Sequence, residues 1–303
     1  HAGRRIQGTQ ADFDGIPAIS GGWKEVGRTT LGSAGDTITV SSLPDKRYYM
    51  FLNDLTATGG SIAATLRLNN DSGTNYARRR SIDGGADNTY TSDTIMTLNG
   101  NSDTNPRFDV GYLTNLSSKE KLNITHGVYQ NASGAGTAPT RTEIVNKWAN
   151  TSDAINRVDV INTAAGDFNT GSEVVVLGYD PDDTHTTNFW EELASGDETS
   201  VTSSSTGTIT AKKYLWIQVY LEPSSSTRLD INFNNDTGSN YTRRGSSNGG
   251  SDYNSPSQSQ LAVAGTDASP KFVNMFFLNN SSQEKLGIAH AVNENTAGAG
   301  NIP

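Results

Sequence analysis

A chain of 303 residues, 33% of them hydrophobic, has room for two domains of ordinary size, each with its own core. Its 32 acidic and 23 basic residues give a net charge of −9, a field that repels nucleic acid and anionic membranes; no run approaches the roughly 18 consecutive apolar residues that membrane insertion requires. The absence of cysteine excludes disulfide staples, thiolate metal sites and cysteine nucleophiles.

The chain starts at His1 rather than Met, which predicts an upstream segment removed or left out, and residues 1–20 read as an N-terminal arm. From residue 21 to 180 the apolar residues recur with period two: Ile38 and Val40, Leu66 and Leu68, then Leu122, Ile124 and Val128. Ile155 to Ile161 and Glu173 to Tyr179 read as two more strands, the second apolar on both faces, as a central sandwich strand is. Residues 181–187 read as a linker. From 188 to 303 the pattern resumes with Leu215, Ile217, Val219 and Leu221, followed by Leu229, Ile231 and Phe233. Short strands separated by Gly, Ser, Thr, Asn and Asp, with no helical periodicity, predict an all-β fold of antiparallel β-sandwich modules, jelly-roll-like first and immunoglobulin-like second.

The two halves are copies. LRLNNDSGTNYARR from Leu66 matches INFNNDTGSNYTRR from Ile231, which sets Asp71 and Asp236 165 positions apart. NLSSKEKL from Asn115 matches NNSSQEKL from Asn279, and GAGTAP from Gly134 matches GAGNIP from Gly298, both 164 positions apart. Trp23-Lys-Glu-Val aligns with Trp190-Glu-Glu-Leu. The first copy continues past Pro139 through the two strands noted above and the second does not, so module two is expected to lack its last two strands and to expose an edge.

Candidate chemistry is sparse. Asp71-Ser-Gly-Thr and Asp236-Thr-Gly-Ser have the form of the paired aspartate loops of bilobal aspartic proteases, whose two carboxylates share a proton. Here Asn-Asn precedes each Asp and Asn-Tyr follows, which reads as a solvated hairpin turn. The same turns offer hard oxygen ligands for Ca²⁺ at Asn70, Asp71 and Asn75 and at Asn235, Asp236 and Asn240, without a full calcium-loop pattern; no other cofactor is implied. Gly245-Ser-Ser-Asn-Gly249 matches a nucleophile-elbow pattern but lacks the helix that motif requires. His126 and His290 are equivalent and alternate onto the apolar face of their strands, where a hydrogen-bonded core histidine is the simple reading and a metal ligand the sharper one. Arg78, Arg79 and Arg80, with Arg243 and Arg244, are candidates for contacts with a ligand or a neighbouring subunit, or for ion pairs with the protein's own acidic surface. Tyr48, Tyr49, Trp190 and Tyr253 are candidate sugar-stacking aromatics, and Trp23 with Trp190 suits packing at each module's entrance.

With these blocks in place, LNNDSGTNYAR from Leu68, NLSSKEK from Asn115, KWANTS from Lys147 and GSEVVVLG from Gly171 resemble tandem modules of phage and marine-virus structural proteins. The resemblance covers nearly everything after the first 20 residues. It implies jelly-roll units of capsid decorations, tails or fibres, no catalytic residues, and a location on a virion or extracellular surface. The function expected from it is that of a non-enzymatic structural protein that self-associates through its sandwich modules and by strand donation, with itself and other virion or surface proteins as partners. The alternative is a carbohydrate- or receptor-binding module for host attachment, with glycan as partner.

Overall fold

In the computed structural model, which describes residues 22–185 and 187–294, the chain is all-β and every strand pair is antiparallel. The arm at residues 1–20 and the GAGNIP segment lie outside the described residues.

Module one is a two-layer sandwich. Its large sheet runs in the order β1 (Lys24–Thr30), β14 (Glu173–Tyr179), β3 (Tyr48–Leu55), β9 (Arg107–Thr114), β10 (Lys121–Tyr129), β11 (Thr140–Trp148), β6 (Tyr76–Ile82) and β7 (Asn88–Asp93). The second layer is β2 (Thr37–Ser41), β12 (Arg157–Asn162), β5 (Ala64–Leu68) and β8 (Met96–Thr97), with a small pair, β13 (Asp167–Phe168) and β4 (Ala57–Thr58), beside it. Between the layers lies one apolar core built from alternate residues: Tyr49, Phe51 and Leu55 of β3, Ile38 and Val40 of β2, Leu66 and Leu68 of β5, Trp148 of β11, Val158 and Val160 of β12, and Val174 and Val176 of β14. Period-two alternation sends the remaining residues of β3, β9 and β14 to the opposite face, where Met50, Leu52, Phe108, Val110, Val175 and Leu177 are also buried. These strands are therefore covered on both sides, as the two-faced apolar run at 173–179 predicts.

Module two contains β15 (Tyr214–Leu221), β20 (Lys271–Leu278) and β21 (Leu286–Asn293) in one sheet, and the pairs β16 (Thr227–Ile231) with β19 (Leu261–Asp267) and β17 (Tyr241–Gly245) with β18 (Tyr253–Gln258). By the repeat offset these are the counterparts of β3, β9, β10, β5, β8, β6 and β7. Trp190-Glu-Glu-Leu forms no strand although its counterpart begins β1, and residues 187–213 carry none. The stretch that module one has in addition supplies three long strands, β11, β12 and β14, rather than two. β11 escaped the sequence pattern because Thr142 and Asn146 share its buried face with Ile144 and Trp148.

The repeated NNDSGTNY block is a turn-forming device. Asn69 and Asn70 take φ of 50° and 56°, and Asn234 and Asn235 take 55° and 56°, the left-handed region that Asn tolerates better than most residues. The Asp71 carboxylate accepts from Gly73 N at 2.8 Å and Asn75 Nδ2 at 2.9 Å, while Tyr76 donates its hydroxyl back to Asp71 O at 3.1 Å. Asp236, Gly238, Asn240 and Tyr241 repeat the arrangement. The motif recurs because two consecutive left-handed residues and a short acceptor are needed to enter β6 and β17.

Candidate functional site

The two modules meet through the outer faces of their large sheets. From module one come Met50, Leu52, Phe108, Val110, Val128, Val175 and Leu177; from module two come Tyr214, Phe276, Leu278 and Leu286, with Ile288, Phe189 and Trp190 partly buried against them. Tyr214 stacks on Phe108 with ring centroids 6.1 Å apart. Trp190 packs on Phe276, and Trp23 on Tyr112, at equivalent places, so each tryptophan closes its own module's entrance.

A polar rim surrounds the apolar centre. Lys213 Nζ bridges Asp54 at 2.9 Å and Glu173 at 3.0 Å, and the Tyr214 hydroxyl donates to Glu173 at 2.9 Å. Burial works to raise the Glu173 pKa, but bonds from Thr30, Lys213 and Tyr214 outweigh it and hold the carboxyl at about 2. Asn280 and Gln283 donate to the buried Asp54. On the opposite side Arg141 pairs with Asp252 at 2.7 Å, and Arg244 pairs with Asp83 at 3.1 Å and donates to Pro139 O. Each buried carboxylate thus meets a cation or amide donor from the other module, so its desolvation is compensated.

Near the middle, His126 Nδ1 lies 2.6 Å from His290 Nε2, with the rings edge to face. Burial lowers both pKa values: His126 to about 4, with the facing imidazole and Arg141 adding to the effect, and His290 against Glu143, which works to raise it, with Arg141 adding to the lowering. The histidines sit at the junction between modules, not inside either core, and the sequence reading missed that they meet. The signal was present: contact between two repeat-equivalent residues is what an approximate local two-fold axis produces. The symmetry is partial. Met50, Phe108 and Val128 are buried, while their counterparts Trp216, Phe272 and Val292 are exposed; Phe276, Leu286 and Ile288 are covered, while their counterparts Tyr112, Leu122 and Ile124 are exposed.

The other sequence candidates have structural partners. Asp71 also accepts from Trp148 Nε1 at 2.7 Å, and its pKa is lowered because bonds from Asn75, Trp148 and Gly73 outweigh the effect of burial. Asp71 and Asp236 bond within their own turns, and no hydrogen bond joins them. At the calcium candidates Asn75 and Asn240 turn their amide NH₂ groups toward the carboxylate, so a cation would have to displace these donors; Asn70 and Asn235 shape the backbone. Among the described residues no group of three or more His, Cys, Asp or Glu side chains is placed so that it could hold a metal ion. Arg78 pairs with Asp93 and lies over Tyr90, Arg79 pairs with Asp87, Arg80 donates to Gly100 O, and Arg243 donates to Ala262 O. With Arg244 they serve the protein's own surface and its module junction. Tyr49 is fully buried, its hydroxyl donating to Pro44 O, which removes it from the candidate sugar readers. Gly245 to Gly249 lie at the β17–β18 hairpin turn, with no helix following.

No family model, no curated protein and no solved structure matches this chain.

Proposed function

We propose that the protein is a non-enzymatic building block of a virion or comparable extracellular assembly, associating with further copies of itself through the outer faces of its β-sandwich modules. The observation that carries this reading is the uncovered half of the shared face. Tyr112, Leu122 and Ile124 are 38%, 54% and 50% exposed on module one, and Trp216, Tyr220, Phe272 and Val292 are 38%, 67%, 42% and 40% exposed on module two. Clusters of large apolar side chains on a surface mark interaction sites. All but Tyr220 are repeat counterparts of residues that the chain already buries between its own modules, so each uncovered half has its complement on another copy. In this reading the modules act as jelly-roll-like units of a capsid decoration, tail or fibre.

Sedimentation across a concentration series tests it. The wild-type chain should form oligomers whose mass rises with concentration, and Leu122→Asp with Ile124→Asp should leave it folded and monomeric. A wild-type chain still monomeric at about 100 µM, weaker than most specific self-association, refutes the reading. Carbohydrate binding is the second reading, favoured by the exposed rings of Tyr112, Trp216, Tyr220 and Phe272, which suit stacking on sugar faces. Glycan binding abolished by Trp216→Ala would favour it.

A further inference from the structure

Module two carries a primary amine at the end of its core. Alternation along β20 sends Lys271 to the same face as Val273, Met275 and Phe277, and Lys271 is 0% exposed there. Its Nζ donates to Asp267 Oδ1 at 2.7 Å, to Asp267 O at 3.0 Å and to Ser269 O at 2.9 Å. Directly opposite Lys271 on β21 stands Asn293, 7% exposed, and its Nδ2 donates to the second oxygen of the same carboxylate, Asp267 Oδ2, at 2.6 Å. Opposite residues of an antiparallel pair share a face, with Cβ atoms about 5 Å apart. An amine and a carboxamide are thus held side by side on the two oxygens of one carboxylate.

The first copy shows that closing this end of a module does not require such a trio. The equivalent positions there are Arg107, Asp103 and Tyr129, with Arg107 again opposite Tyr129. Arg107 closes the same loop by donating to Asp103 O at 2.8 Å, and its guanidinium lies 4.7 Å from the centroid of the Tyr129 ring. A guanidinium stays protonated and a phenol has no carbonyl, so nothing in that arrangement can condense. Lys121 is also fully buried, but its Nζ donates to the backbone carbonyls of Lys119 and Asn150.

We propose that Lys271 and Asn293 condense into an intramolecular isopeptide bond that ties β20 to β21, with Asp267 as the catalytic residue. The trio starts with an ion pair, because the Lys271 ammonium holds the Asp267 carboxyl below its ordinary range. Burial of the ammonium favours passing a proton from Nζ to Oδ1, which frees the nitrogen lone pair. The neutral amine attacks Asn293 Cγ; the Nζ–Cγ bond forms, the Cγ–Nδ2 bond breaks, and Asp267 Oδ2 hands its proton to the departing nitrogen. Two of the three ammonium protons end on Nδ2, which leaves as ammonium, and the third stays on the new amide. Asp267 is a carboxylate at the end as at the start, and no oxidant, reductant or cofactor enters. Holding the two groups together in the folded module replaces an encounter in solution, so the bond forms after folding and without a second protein. It stands independently of the self-association reading.

Intact mass spectrometry of the denatured 303-residue chain tests the proposal. The wild type is expected to weigh one ammonia less than its sequence, and a protease digest to yield one branched peptide that joins Lys271 to Asn293. Lys271→Arg, Asn293→Ala and Asp267→Ala should each restore the full mass. Lys271→Arg also separates the cross-link from a succinimide at Asn293, which loses the same ammonia without needing the amine. A wild-type chain of full sequence mass overturns the proposal, and that result depends on no variant folding. A deficit that persists in Lys271→Arg, or one without the branched peptide, overturns it as well. A deficit that persists in Asp267→Ala overturns the role given to the carboxylate.

Discussion

Acidification should loosen the junction between the modules through one pair of side chains. A hydrogen bond between His126 Nδ1 and His290 Nε2 needs at least one ring to present a lone pair, and two imidazolium rings 4.3 Å apart repel. The groups facing the pair are Arg141 and Glu143 of β11, with Asp252 held by Arg141; Arg141 works against protonation of both rings, and Glu143 favours it at His290. Keeping His126 neutral down to about 4 rather than the ordinary 6.5 corresponds to about 3 kcal/mol. The folded ring binds its proton less readily than the unfolded one, so this stabilisation is present above pH 6.5 and is lost as pH falls toward 4. Unfolding followed by urea titration between pH 7.5 and about 4.5 should show a fall in wild-type stability on the order of 2 kcal/mol from this pair. In the double variant His126→Gln and His290→Gln most of that slope should vanish, because the glutamines do not titrate. An equal pH dependence in the two proteins refutes the assignment.

Three further outcomes follow from the geometry. Asn53 is 1% exposed with both amide atoms unpartnered, and its counterpart in module two is Val219, so Asn53→Val should stabilise module one by about 1–3 kcal/mol in chemical denaturation; a loss of stability would mean that the amide binds buried water. Trp148→Phe removes the indole bond to Asp71 while keeping the ring over Tyr76, and should cost on the order of 1–2 kcal/mol, with increased amide exchange in the turn from Asn69 to Asn75; an unchanged turn would show that the indole contributes only by packing. Because donors already occupy the Asp71 and Asp236 carboxylates, millimolar calcium or its chelator should leave the melting temperature unchanged, and a clear rise with calcium would show that these turns rearrange to bind it.

The all-β class, the duplication and the turn at each NNDxGxNY block were legible because they rest on local rules: period-two alternation, and Asn in left-handed backbone conformations. β11 was harder to see because its buried face mixes Thr142 and Asn146 with Ile144 and Trp148, and their burial is explained only by partners far along the chain, such as Thr97 and Asn123. The junction was invisible for a different reason. Met50, Leu52, Phe108 and Val110 mark β3 and β9 as two-faced strands, but alternation does not say what covers the second face. The packing of Tyr214, Phe276, Leu278 and Leu286 on that face, with the contact between His126 and His290, shows that the cover is the duplicate module.

Duplication explains why one face has both a filled and an uncovered half. When a module packs against its own copy by an approximate two-fold, every apolar residue selected for the contact is written twice, once in each copy. A perfect two-fold would bury both versions. Here the packing seals Phe108 under Tyr214 but leaves Phe272 in solvent, and it covers Leu286 but not Leu122. Removing Leu122, Ile124 or Phe272 of the uncovered set should therefore leave the chain's own fold unaffected while weakening its association with other copies, whereas Phe108→Ala should cost about 3–5 kcal/mol within the chain. A Phe272→Ala variant that destabilises the isolated chain as much as Phe108→Ala would show that the two halves are not distinct, and that the junction closes fully in solution.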